Sequence, residues 1–243
     1  PEGSHIFRAF DGIEPKDVRC ILLGQDPFPC PAFSTGRAFE AGNTARWREL
    51  EKITFSPSMR SFTQTICTAL SSERRYSQGT QAWHITIKEI EEGKITLPAP
   101  TFLLDKWRDE GVLALNSSLT ISRFSKEGDR HQLEGHSPLW HPFIMKLIAG
   151  LATASQTPLI VLSFGQTAKT LIEATRRSLP EDISENLYSF AVPHPATGDD
   201  YLSAPNAFLQ ANRRLAAVSY TQLTPPTKQI RRHSEGRDDA QTP

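Results

Sequence analysis

The stretch VRCILLGQDP (residues 18–27) decides the fold, because a nearly continuous apolar run ends abruptly in glycine, glutamine and aspartate. Such a run is typical of a strand that is covered on both faces in a parallel sheet. Similar runs recur at 111–116, 158–164 and 186–192, with helical patterns between them. Strands that alternate with helices predict an α/β fold, a three-layer α/β/α sandwich around a short, mostly parallel four-stranded sheet.

The rest of the chain is organised around these strands. We expect one domain over residues 1–218, interrupted at 76–100 by an excursion with a short helix near 86–92. Residues 219–243 are polar and show no apolar period, so we expect a disordered tail. The main helices are predicted at 58–71, 101–110, 138–152, 166–177 and 205–219.

Composition narrows the function classes. The 27 basic residues balance the 27 acidic ones, so net charge does not indicate a nucleic-acid partner, although a local basic groove is compatible with a neutral total. The three cysteines, Cys20, Cys30 and Cys67, lack C-x-x-C spacing, which argues against disulfides, a zinc site or an iron–sulfur cluster. No apolar run approaches membrane-spanning length. We expect a cytoplasmic monomer with no membrane partner.

Polar turns follow all four predicted strands: GQDP, NSS, GQT and PHPATG. In open parallel sheets, ligands bind in the crevice outside the carboxyl ends of the strands. We therefore expect the side chains of Asp26, Asn116, Gln166 and His194 to converge on one cleft, where a carboxylate, amides and an imidazole form an acid–base and recognition set. Singly, each residue also fits a turn, a cap or a structural loop. Their recurrence at four strand ends favours a site.

The motifs at these strand ends resemble those of the uracil-DNA glycosylase superfamily, and those of family 1 most closely. The family's water-activating motif, G-Q-D-P-Y-H, is matched by GQDPFP (24–29). The pattern then continues without a gap to Phe39, at the position of the family's stacking phenylalanine. The family's L-L-L-N-T-V-L-T is matched by LALNSSLT (113–120). Weaker matches follow in the family's order: SPS (56–58), HSPLWHPF (136–143), GQ (165–166) and HPATGD (194–199).

The resemblance implies a monofunctional DNA glycosylase, which flips a damaged or modified pyrimidine out of the helix and hydrolyses its N-glycosidic bond to leave an abasic site. Asp26 would activate water and stabilise the cationic sugar, and His194 would donate a hydrogen bond to the departing base. No metal or organic cofactor is needed. The base would be bound by Gln25, Phe28, Phe39 and Asn116, and the DNA by Ser56, Pro57, Ser58, Gly165, Gln166, Pro195, Ala196, Thr197 and Gly198.

The sequence departs from the family in the loop that closes the base pocket. Phe28 stands for the family's tyrosine, Pro29 for its histidine and Cys30 for a glycine. Because proline fixes φ and removes an N–H donor, we expect a rerouted loop that admits a substituted pyrimidine. The amide of Asn116 can rotate and pair with uracil or with cytosine. A uracil repair enzyme and an antiviral enzyme specific for bulky modified cytosine in phage DNA therefore both stay open.

The last motif departs as well. Gly198 stands where the family has the leucine that wedges into the duplex, and Ala196 stands where a serine contacts phosphate. Trp83 or Tyr201 is a candidate substitute wedge, unless single-stranded DNA is preferred over double-stranded DNA. A non-catalytic DNA-binding member of the fold is the alternative of another class. The presence of both Asp26 and His194 favours an enzyme.

Overall fold

A computed structural model of the chain describes residues 1–54, 56–122, 136–155 and 157–217. It confirms the predicted fold class. The sheet has four strands, all parallel, in the order β2-β1-β3-β4. The strands are β1 (Cys20–Gly24), β2 (Val112–Asn116), β3 (Leu159–Phe164) and β4 (Leu187–Val192).

The strand order creates a binding crevice at one edge of the sheet. Strand β2 lies on one side of β1, and β3, the next strand along the chain, lies on the other side of β1. Ligands of open α/β sheets bind outside the carboxyl ends of the strands, at such a switch point. Gly24, the last residue of β1, pairs in register with Asn116, the last residue of β2. The polar turns that follow these strands therefore start level with one another.

Helices cover both faces of the sheet, which explains why β1, in its centre, is apolar throughout. Cys20 and Leu22 of β1 belong to the hydrophobic core on one face, and Ile21 and Leu23 belong to the core on the other. The first core includes residues of α1 (Pro57–Ser71), α2 (Trp83–Glu91), α3 (Pro100–Asp109) and α8 (Ala207–Ala217). The second includes residues of α4 (Ser137–Ala154) and α5 (Gln166–Ser178).

The predicted main helices are all present, with ends that differ by at most two residues where the structure describes them. Two short helices were not predicted, α6 (Glu181–Glu185) and α7 (Asp199–Ser203). The predicted tail at 219–243 lies outside the described residues. No helix in the described part of the chain is long and apolar enough to cross a membrane.

The excursion at 76–100 packs onto α1. The amide of Gln64 in α1 donates hydrogen bonds to the carbonyl oxygens of Tyr76, at 2.8 Å, and Gly79, at 3.0 Å. Tyr76 and Ile95 form a small buried cluster with Cys67 of α1. Helix α2 starts three residues before the predicted 86, at Trp83, because Trp83 and Ile87 point into the main core.

Candidate active site

A cavity of about 580 Å³ opens at the carboxyl ends of the strands. It brings together most of the residues that the sequence predicts for the site, although they are far apart along the chain. The predicted catalytic and base-binding residues that line it are Gln25, Asp26, Phe28, Phe39, Asn116 and His194. From the predicted DNA-binding set, Pro57, Ser58, Ala196 and Thr197 also line it.

Asp26 lies just beyond β1, in a turn that is fastened to the turn after β2. The carbonyl oxygen of Gly24 accepts hydrogen bonds from the N–H of Ser117, at 2.9 Å, and from its hydroxyl, at 2.8 Å. The carbonyl oxygen of Gln25 accepts one from the N–H of Ser118 at 2.9 Å. These bonds between strand ends hold the carboxylate of Asp26 at a fixed place on the cavity wall.

Burial raises the pKa of Asp26 to about 6, against the opposing effects of a hydrogen bond from Gln25 and of the nearby charge of His136. The side-chain amide of Gln25 donates to Oδ2 of Asp26 at 2.9 Å. A carboxylate with this pKa is ionised at neutral pH but is close enough to neutrality to accept a proton, as a general base must.

Gly24 leaves space for the side chain of Asn116. A Cβ atom at position 24 would lie 2.6 Å from Oδ1 of Asn116 and 3.2 Å from Cβ of Ala38. Asn116 itself is only 2% exposed, so its amide is held inside the cavity wall. The glycine of the GQD turn therefore allows the amide to reach the position from which it lines the cavity.

Phe39 has an unusual backbone conformation that supports a specific ring position. Its φ of 58° lies in the left-handed region, which is uncommon for a bulky residue and costs on the order of 1–3 kcal/mol. The ring stacks on Phe62 with a centroid separation of 4.4 Å and an interplanar angle of 4°, and it meets Phe164 edge-on at 4.6 Å. Phe62 covers one face of the ring, and the ring also lines the cavity, where a planar ligand can contact it.

His194 has a defined tautomer. Its Nδ1 accepts a hydrogen bond from the N–H of Ala196 at 3.1 Å, so Nδ1 carries no proton. Burial lowers the pKa of His194, which favours the neutral ring. The proton of a neutral imidazole then resides on Nε2, and this atom acts as a hydrogen-bond donor.

The loop that follows Asp26 folds back on itself. The carbonyl oxygen of Cys30 accepts hydrogen bonds from the N–H groups of Phe33 and Ser34, both at 3.0 Å. The ring of Phe28 lines the cavity and packs edge-on against Phe33 at 6.0 Å. Phe28 is therefore the aromatic side chain that this loop contributes to the cavity wall, and Phe33 packs against it.

Five of the predicted DNA-binding residues are not on the cavity wall. Ser56 is buried, and its hydroxyl donates to the carbonyl of Leu50. Gln166, expected in the cleft, is exposed and its amide donates to Thr170 at 3.1 Å. The prediction that Gln166 converges with the other strand-end residues is therefore wrong, because its side chain turns along α5. The other three residues are Gly165, Pro195 and Gly198.

Gly165 supports His194 by close packing. It has a φ of +91°, and a Cβ atom there would lie 3.1 Å from Cβ of His194. Its N–H donates to the carbonyl of Val192 at 2.9 Å, which joins the end of β3 to the end of β4. Gly165 thus positions the His194 loop, which we define as residues 193–199.

Neither candidate substitute wedge is available for insertion into DNA. Trp83 is 6% exposed and its indole N–H donates to Glu51 at 3.0 Å, and Tyr201 is 3% exposed. Both belong to the main hydrophobic core. The prediction is wrong because both aromatic rings are needed for packing.

The sequence did not reveal all the residues on the cavity wall. Arg37 and Glu40, which flank Phe39, were missed, although charged residues within the short and otherwise uncharged segment STGRAFEAG were a usable sign. Thr54, Met59 and Ile121 on the wall were not predicted either, whereas Gly24, Pro27 and Pro29 line the cavity as members of the predicted GQDPFP motif.

Comparison with known proteins relates the chain to uracil-DNA glycosylases. No family model matches the chain. The uracil-DNA glycosylase of Exiguobacterium sibiricum is 28% identical over 187 residues, covering 75% of this chain and 67% of the relative. That of Mycoplasma genitalium is 28% identical over 208 residues, covering 85% and 68%. The resemblance to the uracil-DNA glycosylase superfamily is thereby confirmed.

Solved structures show the same fold. The wild-type UNG of Nitratifractor salsuginis matches with a TM-score of 0.59 and 24% identity, covering 91% of this chain and 79% of that one. The mimivirus uracil-DNA glycosylase matches with a TM-score of 0.58 and 16% identity, covering 90% and 71%. At these identities, the structural likeness carries the fold alone.

Proposed function

We propose that this chain, which has the sequence motifs and fold of the uracil-DNA glycosylase superfamily, is a monofunctional DNA glycosylase acting as a monomer on DNA. It removes a flipped-out damaged or modified pyrimidine by hydrolysis and leaves an abasic site. The observation that carries the proposal is the joint placement of Asp26, His194, Asn116 and Phe39 around one cavity. These residues supply a general base, a hydrogen-bond donor, an amide and an aromatic face.

Binding of the base uses Phe39 and Asn116. The extruded ring stacks on Phe39, since aromatic faces bind planar rings well. The amide of Asn116 pairs with the Watson–Crick edge of the base. One rotamer of this amide suits uracil and the other suits cytosine, so both uracil and modified cytosine remain candidate substrates.

Bond cleavage uses His194 and Asp26. As the bond between the sugar and the base breaks, its electron pair moves onto the base and positive charge develops on the sugar. The Nε2–H of His194 donates to the ring carbonyl that gains charge, which is electrostatic stabilisation of a leaving group. The carboxylate of Asp26 stabilises the cationic sugar, orients the attacking water and accepts its proton. Hydrolysis through water, without a lysine nucleophile, leaves the strand intact.

The biological role depends on which base the protein removes. Removal of uracil would serve DNA repair. Removal of a bulky modified cytosine from phage DNA would serve antiviral defence.

The test compares one oligonucleotide sequence carrying uracil, thymine, 5-methylcytosine, 5-hydroxymethylcytosine or a glucosylated cytosine, in single- and double-stranded form. Alkali converts each abasic site into a strand break. We expect the wild type to release at least one of these bases, and Asp26→Asn to reduce the rate about a hundredfold or more. Asp182→Asn is the matched control, because Asp182 is exposed in α6, at the amino end of β4 and away from the cavity.

Two results would contradict the proposal. One is release of the base by Asp26→Asn at the wild-type rate. The other is tight binding of DNA with no base released from any substrate, which would identify a non-catalytic DNA-binding protein.

A further inference from the structure

The two oxygens of the Asp26 carboxylate have different surroundings. The side-chain amide of Gln25 donates to Oδ2 of Asp26 at 2.9 Å, and the described part of the chain holds no other donor to this carboxylate. Oδ1 has no donor there, yet it is not one of the buried polar atoms that lack a partner. One oxygen is therefore bound to the protein, and the other keeps accessible surface.

The main chain of Gln25 is anchored next to this bond. Its carbonyl oxygen accepts a hydrogen bond from the N–H of Ser118 at 2.9 Å, which ties Gln25 to the turn after β2. Gln25 and Asp26 both line the cavity, so the amide and the carboxylate meet on its wall. The hydrogen bond thus joins two neighbouring side chains whose backbone is held in place.

No other side chain of this loop can replace Gln25 as a donor. Six consecutive residues of the loop line the cavity: Gly24, Gln25, Asp26, Pro27, Phe28 and Pro29. Only Gln25 and Asp26 among them have polar side chains, and the two prolines also lack a backbone N–H. The hydrogen bonding of the carboxylate within its own loop therefore depends on Gln25.

This bond acts on both the charge and the orientation of the carboxylate. Burial raises the pKa of Asp26, whereas the hydrogen bond from Gln25 and the charge of His136 lower it. A hydrogen bond to the charged form favours that form, and bonds to ionised groups are roughly twice as strong as bonds between neutral groups. Because only Oδ2 is bound, the bond also restricts rotation of the carboxylate and leaves Oδ1 free.

We propose that Gln25 is a positioning residue, which binds Oδ2 of Asp26 and so reserves Oδ1 for the attacking water, whose proton Oδ1 accepts. The inference rests on the proposed glycosylase function and deepens it, because it assigns separate tasks to the two oxygens of the general base. It also gives Gln25 a role through Asp26, in addition to the base binding that the family resemblance implies.

Four other charged or titratable groups surround the carboxylate. Arg37, Glu40 and His194 line the same cavity, and the charge of His136 acts on Asp26. Arg37 and Glu40 form an ion pair at 3.4 Å, and burial favours the neutral form of His194 by lowering its pKa. In the part of the chain that the structure describes, none of the four donates a hydrogen bond to the carboxylate. A change at Gln25 is therefore separable from them.

The experiment replaces Gln25 by methionine, which has a similar shape but no hydrogen-bond donor. The pH dependence of kcat/KM is measured on the base that the wild type releases best. We expect the bend near pH 6 to move up by about one pH unit, because the ionised carboxylate loses its donor. Above the shifted bend the rate should stay about tenfold below that of the wild type, mainly through kcat, since the carboxylate is no longer held in one orientation.

Gln25→Lys should move the bend in the opposite direction. Its ammonium group supplies a donor and a positive charge beside the carboxylate, so the bend should lie below that of the wild type. If Gln25→Met does not fold, as judged by circular dichroism, Gln25→Lys carries the test alone. A repeat of the Gln25→Met measurement in a His136→Gln background shows whether the shift is independent of the charge of His136, as we expect.

Gln210→Met is the matched control. Gln210 lies in α8 and does not line the cavity, and its amide donates to the carbonyl oxygen of Pro205 at 3.4 Å. The same substitution there should leave both the bend and the rate unchanged. A shift of the bend in Gln210→Met as large as that in Gln25→Met would overturn the role of Gln25.

A second measurement does not depend on activity. The carbon-13 signal of the Asp26 carboxyl group, identified by its loss in Asp26→Asn, follows the protonation of this group during a pH titration. It should titrate about one pH unit higher in Gln25→Met than in the wild type. Titration at the same pH in both proteins would show that Gln25 does not act on the carboxylate.

The outcomes separate this inference from the function on which it rests. If the wild type releases a base with an Asp26-dependent bend that Gln25→Met leaves in place, the function stands and the role of Gln25 is wrong. Shifts in the same direction in Gln25→Met and Gln25→Lys also overturn that role. If the wild type releases no base from any DNA, the proposed function fails and this role fails with it.

Discussion

The cavity wall at the ends of β1 and β2 differs from the wall formed by the His194 loop in how the main chain holds it. At the first wall, hydrogen bonds from Ser117 and Ser118 join two buried strand ends. At the second, the loop is held by the N–H of Gly165 and by a hydrogen bond from the N–H of Thr80 to Asp199, at 2.7 Å. Ala196, Thr197 and Asp199 are exposed there.

The proposed mechanism requires a rigid first wall and allows a more adaptable second wall. The carboxylate and the amide must be fixed relative to each other, since a displacement of about 1 Å in an active site can cost roughly a hundredfold in rate. In the proposed mechanism, the His194 loop faces the DNA and accommodates its backbone. We therefore expect small changes at the first wall to reduce activity strongly and equivalent changes at the second wall to be tolerated better.

The largest effect is expected from Gly24→Ala. The new Cβ would lie 2.6 Å from Oδ1 of Asn116, and the strand register leaves neither residue free to move. We expect the rate of base release to fall about a hundredfold, because the amide is displaced from the base. Steady-state kinetics on the preferred substrate measures it.

Gly150→Ala is the matched control for this change. Apart from its chain neighbours and its own helix backbone, no described atom lies within 4 Å of a Cβ built at Gly150, which is in the C-terminal part of α4. Alanine there should leave the rate unchanged and stabilise the helix by up to about 1 kcal/mol. A normal rate in Gly24→Ala would show that the first wall is less rigid than we infer.

A second expected effect concerns stability at Asp26. Its pKa is raised by burial, from 3.8 to about 6, so the folded state holds its proton more tightly than the unfolded state does. The ionised carboxylate therefore reduces stability as the pH rises from about 4 to 6, and the loss persists above that range. Asp26→Asn should raise the free energy of unfolding by about 1–3 kcal/mol at pH 7.

Urea unfolding at two pH values checks this prediction. The gain from Asp26→Asn should shrink markedly at pH 4, where the wild-type carboxyl is largely protonated in the folded state. Asp182→Asn again serves as the control and should show no such difference between the two pH values. An Asp26→Asn variant that is less stable than the wild type at pH 7 would contradict the burial argument.

The smallest effect is expected from Gly165→Ala, at the second wall. The new Cβ would lie 3.1 Å from Cβ of His194, and the φ of +91° disfavours any side chain. We expect a loss of about 1–2 kcal/mol in stability and a decrease in rate well below that of Gly24→Ala, because the His194 loop can shift. A rate loss as large as that of Gly24→Ala would remove the distinction between the walls.

Secondary structure was predicted best for the segments in which every residue is buried. Strand β1, CILLG (20–24), is apolar throughout because helices cover both faces of the sheet. Parallel strands bring their carboxyl ends together, so the convergence of Asp26, Asn116 and His194 follows from sequence. Glu40 was missed because a charged residue in a short polar, glycine-containing segment usually indicates a solvated face. Only the tertiary contacts with Arg8 and Arg37 show that it is buried.

Other features of the site depend on three-dimensional contacts that leave little trace in sequence. Gln166 follows a strand as Asp26 does, yet its side chain turns along α5 to Thr170. Phe39 combines a left-handed φ with stacking on Phe62, which is distant along the chain. Trp83 and Tyr201 were candidates for contact with DNA, but their large apolar surfaces are used in the core.

The most direct test of the account is the pH dependence of kcat/KM for base release. In the proposed mechanism the ionised form of Asp26 is the active one, so we predict that kcat/KM rises with pH, bends near pH 6 and is level above pH 7. His194→Gln should lower the curve but keep the bend, since the bend belongs to Asp26. A rate that is independent of pH between 5 and 7, or that falls over this range, would contradict the assignment of Asp26 as the general base.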